Sequence, residues 1–203
     1  GLVVYNSLIS ALTRENCLKE AKKIFGKIVE TGLKPDIETY NSMIYPLCEA
    51  FKVEEAQVIM DDMIKNGIHP TIETYHAFAK AEDIEGTLKL LKRMKDVGYS
   101  PNGYTFLLIL DKFFRLDESE SALRIWSEMA MYNVIPDSSH YTTLVQGLAT
   151  HGWIPKAMEF YNEMRSNGFP GDPKLQNLFE TFVSSSKNHW GRGKDYHPTL
   201  RET

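Results

Sequence analysis

The chain has 203 residues, 42% of them hydrophobic and 25% charged, with a formal net charge of −4 from 23 Lys and Arg against 27 Asp and Glu. That composition is globular rather than disordered, and the acidic balance (pI near 5.9) argues against a surface that is one continuous basic nucleic-acid platform while allowing a local basic groove. No apolar run approaches the length of about 18 residues that a membrane span needs, and two cysteines, Cys17 and Cys48, exclude a disulfide framework or a cysteine-rich zinc site and suit a reducing compartment.

The chain opens at Gly1-Leu2-Val3 without an initiator Met, basic leader or apolar signal, so it reads as a mature form or a fragment. Tyr5, Leu8, Ile9 and Leu12 fall at i, i+3, i+4 and i+7, one face of a helix, and Ala21, Ile24, Phe25 and Ile28 repeat that spacing. Gly32 then suits a helix C-terminus, Pro35 forbids continuation, and Asp36 is a good N-cap for the next helix. A second pair follows: Tyr40, Met43, Ile44 and Leu47, then Ala56, Ile59, Met60 and Met63, closed by Gly67, Pro70 and Thr71. The third is contracted, with 19 residues from Tyr75 to Met94 against 23 from Tyr40 to Met63. Its first helix, near 75–81, should lack about one turn, and Glu82-Asp83 fall where apolar residues stand elsewhere, predicting a kink or groove irregularity. Phe106, Ile109, Leu110 and Phe113 with Ala122, Ile125, Trp126 and Met129 make a fourth pair. Tyr141, Leu144, Val145 and Leu148 with Ala157, Phe160, Tyr161 and Met164 make a fifth. Beyond Asp172, the stripe Leu175, Leu178, Phe179 and Phe182 can cap an array, and a polar tail with Lys187, Arg192, Lys194 and Arg201 ends the chain. Trp153 and Trp190 lie off the stripes and are available for contacts.

The aromatic column Tyr5, Tyr40, Tyr75, Phe106 and Tyr141 advances by 35, 35, 31 and 35 residues, and the small-residue, Met and Gly columns keep the same four-residue contraction. The chain is therefore tandem helix-turn-helix units: 2–36, 37–71, a short 72–102, 103–137 and 138–172, then a capping helix over 173–186 and a flexible tail over 187–203. The six histidines have no metal-binding spacing, and no H-E-x-x-H, C-x-x-C, phosphate loop or nucleophile elbow occurs. No catalysis, metal or cofactor is expected.

Units reading Tyr-Asn-Ser-Leu-Ile, then Ala-x-x-Ile-Phe, then Gly-Leu-Lys-Pro-Asp resemble pentatricopeptide repeats of the plain, 35-residue class. The resemblance implies an all-α fold, a right-handed superhelical α-solenoid of about five repeats plus the capping helix. It implies a non-catalytic adaptor that binds single-stranded RNA in an organelle, the mitochondrion ahead of the chloroplast, and acts in RNA processing, stability, splicing or translation. Each repeat meets one base through the residue after the aromatic and the last residue of the repeat. The implied pairs are Asn6 with Asp36, Asn41 with Thr71, His76 with Asn102, Leu107 with Asp137, and Thr142 with Asp172. A carboxylate only accepts hydrogen bonds, so Asp suits the ring N–H of uracil or guanine. Leu107 offers none, and His76 is uncommon there. Val3 and Tyr104 fit the wedge between bases, whereas Glu38, Glu73 and Ser139 occupy it in the other units. Arg14 and Arg115 fit the phosphate position, which Glu49 and Thr150 also occupy. Glu38, Glu73 and Leu107 equally suit a protein-interaction solenoid, such as a component of an organellar ribosome or another assembly. No membrane insertion is expected, and the sequence leaves the oligomeric state open.

Overall fold

The computed structural model describes the backbone of residues 1–191 and the side chains of residues 1–187. Every regular element in that span is helical. The chain divides into two compact units, Gly1–Ser100 and Pro101 onward.

The first unit contains α1 (Leu2–Arg14), α2 (Leu18–Glu30), α3 (Ile37–Glu49), α4 (Val53–Lys65), α5 (Ile72–Ala79) and α6 (Ile84–Asp96). Consecutive helices pair into hairpins, and the first helix of each also packs on the first helix of the next, α1 on α3 and α3 on α5. Burial follows the predicted stripes: Tyr40, Met43, Ile44 and Leu47 of α3 and Ala56, Ile59, Met60 and Met63 of α4 are all buried. Inside the hairpins the turn residues Asn16 (φ 61°) and Phe51 (φ 58°) are left-handed, and between hairpins Gly32 (φ 83°) and Gly67 (φ 81°) take that conformation at no steric cost. The contraction falls in α5, 8 residues long against 13 in α1 and α3. In place of a kink, the chain leaves the helix after Ala79, and Asp83 caps α6 by accepting a 2.8 Å hydrogen bond from the Gly86 N–H.

The second unit contains α7 (Gly103–Arg115), α8 (Ser119–Glu128), α9 (Ser138–Thr150), α10 (Ile154–Ser166) and α11 (Pro173–Gly191), with a 3₁₀ turn at Met129–Tyr132 after α8. Past that turn Asn133 (φ 58°) holds the left-handed position that glycine holds elsewhere. Trp126 anchors the α8–α9–α10 packing edge-on to Tyr141 (5.0 Å) and Phe160 (5.6 Å). Trp153 is buried, so it is not the available contact that its place off the stripes suggests. The Tyr161 and Phe179 rings meet between α10 and α11. α11 continues to Gly191, so Lys187 is helical rather than the start of a tail. Residues 192–203, with Arg192, Lys194 and Arg201, lie outside the described residues, as does the Trp190 side chain. No described helix is long and apolar enough to cross a membrane.

Candidate nucleic-acid interface

The last residue of each predicted unit is first of all a helix cap. The Oδ1 of Asp36 accepts from the Thr39 N–H and hydroxyl, both at 3.0 Å, while the Asp36 N–H donates to Thr39 Oγ1 at 3.2 Å. Asn102 repeats this box with Thr105 at 3.0–3.1 Å. Because a backbone N–H must meet an acceptor, the Asn102 amide is fixed with its oxygen inward and its NH₂ outward. Thr71 forms the box with Thr74. At Asp137 the partner is His140, and the carboxylate takes the N–H of Ser139 (2.9 Å) and His140 (3.2 Å) on one oxygen. Burial pushes the Asp137 carboxyl up, but the His140 backbone N–H, the His140 ring and the Ser139 N–H outweigh it and hold the group below the usual carboxylate range. Asp172 accepts from the Lys174 N–H at 2.9 Å at the start of α11. The caps thus engage one oxygen of Asp36 and Asp137, leaving a second acceptor outward, whereas Asn102 presents a donor.

The residues after the aromatic column lie on the first helices. Asn6, Leu107 and Thr142 are half-buried, but Asn41 and His76 are only 4% and 7% exposed. Asn41 and Thr71 are brought together through one hydroxyl: Thr74 Oγ1 donates to Asn41 Oδ1 (3.4 Å) and lies 3.4 Å from Thr71 Oγ1. Burial holds the His76 imidazole below the usual histidine range against the opposing field of Glu73. The wedge residues are open, with Val3 77% and Tyr104 57% exposed, and Glu38, Glu73 and Ser139 are also exposed. Neither phosphate candidate stands alone. Arg14 pairs with Glu49 at 3.5 Å, its counterpart one unit on, and Arg115 pairs with Asp111 at 3.0 Å. Burial, with Glu82 and Glu49 adding, pushes the Cys48 thiol up to about 12, which leaves it without nucleophilic use.

In the second unit two stripes face each other across an open cleft of about 460 Å³: Leu107, Leu108 and Asp111 on α7, and Ser138, Ser139, Thr142 and Thr143 on α9. The four hydroxyls make no hydrogen bond to protein among the described residues. Two glycines set the separation of these helices. A Cβ on Gly147 would lie 2.4 Å from Phe114 Cγ, and one on Gly103 would lie 3.3 Å from the His140 ring. His140 ties the two helix starts: its Nε2 donates to the Gly103 carbonyl at 2.7 Å, and its Nδ1 faces both the Asp137 N–H (3.0 Å) and an Asp137 carboxylate oxygen (2.9 Å). Sequence reasoning missed these box partners, although Thr39, Thr74, Thr105 and His140 recur at the unit period just ahead of the aromatic column.

A repeated helical hairpin whose second helix ends at a left-handed residue and whose next helix opens with a capping box defines a helical-repeat protein. Models of the pentatricopeptide repeat match this chain in three forms: the PPR repeat family over residues 1–49 and 36–78, the pentatricopeptide repeat domain over 58–114, and the PPR repeat over 139–169. The chain belongs to the pentatricopeptide-repeat family. A mitochondrial pentatricopeptide repeat-containing protein of Arabidopsis thaliana is 48% identical over 105 residues, 52% of this chain and 19% of that protein's length. The chain therefore spans about a fifth of that relative. Among solved structures, the pentatricopeptide repeat protein PPR10 from maize aligns with a TM-score of 0.75 at 22% identity, covering 92% of this chain and 27% of its own. PPR10 in complex with an 18-nt psaJ RNA element aligns at 0.62 and 21% identity, covering 95% and 29%. These likenesses show the all-α repeat fold.

Proposed function

We propose that this chain is a non-catalytic, single-stranded-RNA-binding segment of the plain pentatricopeptide class, reading one base per repeat in an organelle, with the mitochondrion suggested by the Arabidopsis relative. The cleft between α7 and α9 carries the reading, because the two residues assigned to successive bases, Leu107 and Thr142, line its opposite walls beside the wedge residue Ser139. The RNA-bound form of PPR10, which shares the fold, supports the ligand class. Exposed Val3 and Tyr104 supply surfaces on which bases stack. The outward acceptors of Asp36 and Asp137 favour the ring N–H of uracil or guanine, and the outward NH₂ of Asn102 favours the bare ring nitrogen of adenine or cytosine. Arg14 and Arg115, already neutralised by Glu49 and Asp111, contribute less to phosphate attraction than free arginines would.

The test is binding of single-stranded RNA recovered by in vitro selection on the full chain, with Asn6→Ala and Asp36→Ala compared against wild type. Loss of the base preference of the first unit, by about 5- to 10-fold for one good polar contact, is expected in both variants. Selection that enriches no RNA, or an enriched RNA whose profile both variants leave unchanged, overturns the reading.

A further inference from the structure

Leu107, Asp111 and Arg115 stand at i, i+4 and i+8 on α7, a single line with about 6 Å between successive members. In the proposed function, on which this inference rests, the ends of that line meet different parts of one nucleotide: Leu107 the base and Arg115 the phosphate. The residue between base and phosphate faces the sugar, and that residue is Asp111. It lines the same cleft as Leu107, Ser139 and Thr142. Its Oδ2 is taken by Arg115 at 3.0 Å, and among the described residues no hydrogen bond or ion pair engages its Oδ1. The full-length units carry Ser10, Tyr45 and Gln146 at the matching place, so the carboxylate is particular to this rung.

A carboxylate beside a polyanion is unfavourable unless something offsets its charge and something donates to it. Arg115 does the first. For the second, a carboxylate can only accept, and the neutral donor that a nucleotide offers between base and phosphate is its ribose hydroxyl, the group that acidic residues take in dinucleotide sites. We propose that Asp111 is a ribose-reading residue: its Oδ1 accepts a hydrogen bond from the 2′-hydroxyl of the nucleotide seated between α7 and α9. That rung then distinguishes RNA from DNA by the sugar while Leu107 leaves the base unread.

The experiment uses the full chain and its selected RNA, rebuilt with a single 2′-deoxynucleotide at each position in turn. Wild type should show one position where the deoxy substitution weakens binding by about 10- to 100-fold, the size of one hydrogen bond to a charged acceptor. Asp111→Ala should reduce that sensitivity to under about 2-fold at the same position, whereas Asp111→Asn, which keeps an oxygen that accepts, should retain part of it. Removing a negative charge raises affinity for all RNAs alike, so the ratio of ribo to deoxy binding is the readout that a purely electrostatic or structural role would not move. Wild type insensitive at every position, or a sensitivity that persists in Asp111→Ala, overturns the assignment while leaving RNA binding intact. Failure of the selection itself overturns the RNA reading, and the assignment with it.

Discussion

Gly147→Ala opposes two effects of known size. Alanine in a helix interior is favoured over glycine by about 1 kcal/mol, and Gly147 sits inside α9. The new Cβ, however, would lie 2.4, 2.5 and 2.6 Å from Phe114 Cγ, Cδ2 and Cδ1. Those atoms are the root of the ring, not its tip, so a small χ2 rotation does not clear them. Phe114 is buried and stacks on His151 with centroids 6.0 Å apart and planes at 26°. Relief requires Phe114 to abandon its rotamer or α7 and α9 to separate. Overpacking of this kind costs about 1–3 kcal/mol, and disturbing the ring pair adds about 0.5–1.5 kcal/mol. The clash wins, and Gly147→Ala should lose about 0.5–3.5 kcal/mol net. Urea unfolding followed by circular dichroism measures it. A Phe114→Leu background supplies the control: with the ring gone, the same alanine should become neutral or stabilising, so the pair is non-additive. A Gly147→Ala protein as stable as wild type would refute the account of what spaces these helices, and with it the origin of the cleft.

Phe51 holds a left-handed backbone at φ 58° while its ring is exposed. Phe51→Gly should therefore raise the urea midpoint by about 1 kcal/mol equivalent; an unchanged or lower midpoint would show that the turn carries no strain. His76 is kept neutral by burial, so the unfolded chain binds the extra proton. Stability should be fully present above the unfolded histidine value of about 6.5 and fall as pH drops below it, and His76→Gln should flatten that part of the profile. His140→Ala removes the bonds to the Asp137 N–H and the Gly103 carbonyl and should cost about 1–3 kcal/mol. His140→Thr should recover the capping box but not the Gly103 link, and faster amide exchange at the start of α9 in the Ala variant than in the Thr variant is the expected signature.

The sequence revealed helices and turns because both obey local rules. Tyr40, Met43, Ile44 and Leu47 are buried where their spacing puts them, and the glycine column is left-handed wherever the chain leaves a second helix. The contraction was also visible, but its form was not: whether four missing residues bend a helix or shorten it depends on whether Asp83 finds an N–H to cap, and it finds Gly86. Asn41 looked like a groove residue because helical phase alone places it off the stripe. It is buried where α5 packs on α3, and Thr74, a residue of the next predicted unit, donates its hydroxyl to it there. Arg14 and Glu49 stand in the same column one period apart, so their pairing follows from stacking of α1 on α3 and not from either neighbourhood. The cleft depends on the absence of side chains at Gly103 and Gly147, and a missing atom leaves no periodic signal.

The capping boxes limit how such a molecule can be rewritten. At Asp36, Asn102 and Asp137 the side chain that faces outward is the one whose other end starts the following helix. Exchange among Asp, Asn, Ser and Thr preserves that start, whereas an apolar residue loses about 1 kcal/mol of helix initiation before any ligand is considered. The recognition alphabet at these sites is a subset of the capping alphabet, so recoding several rungs at once draws down the stability of the scaffold in proportion to how far each new letter strays from those four.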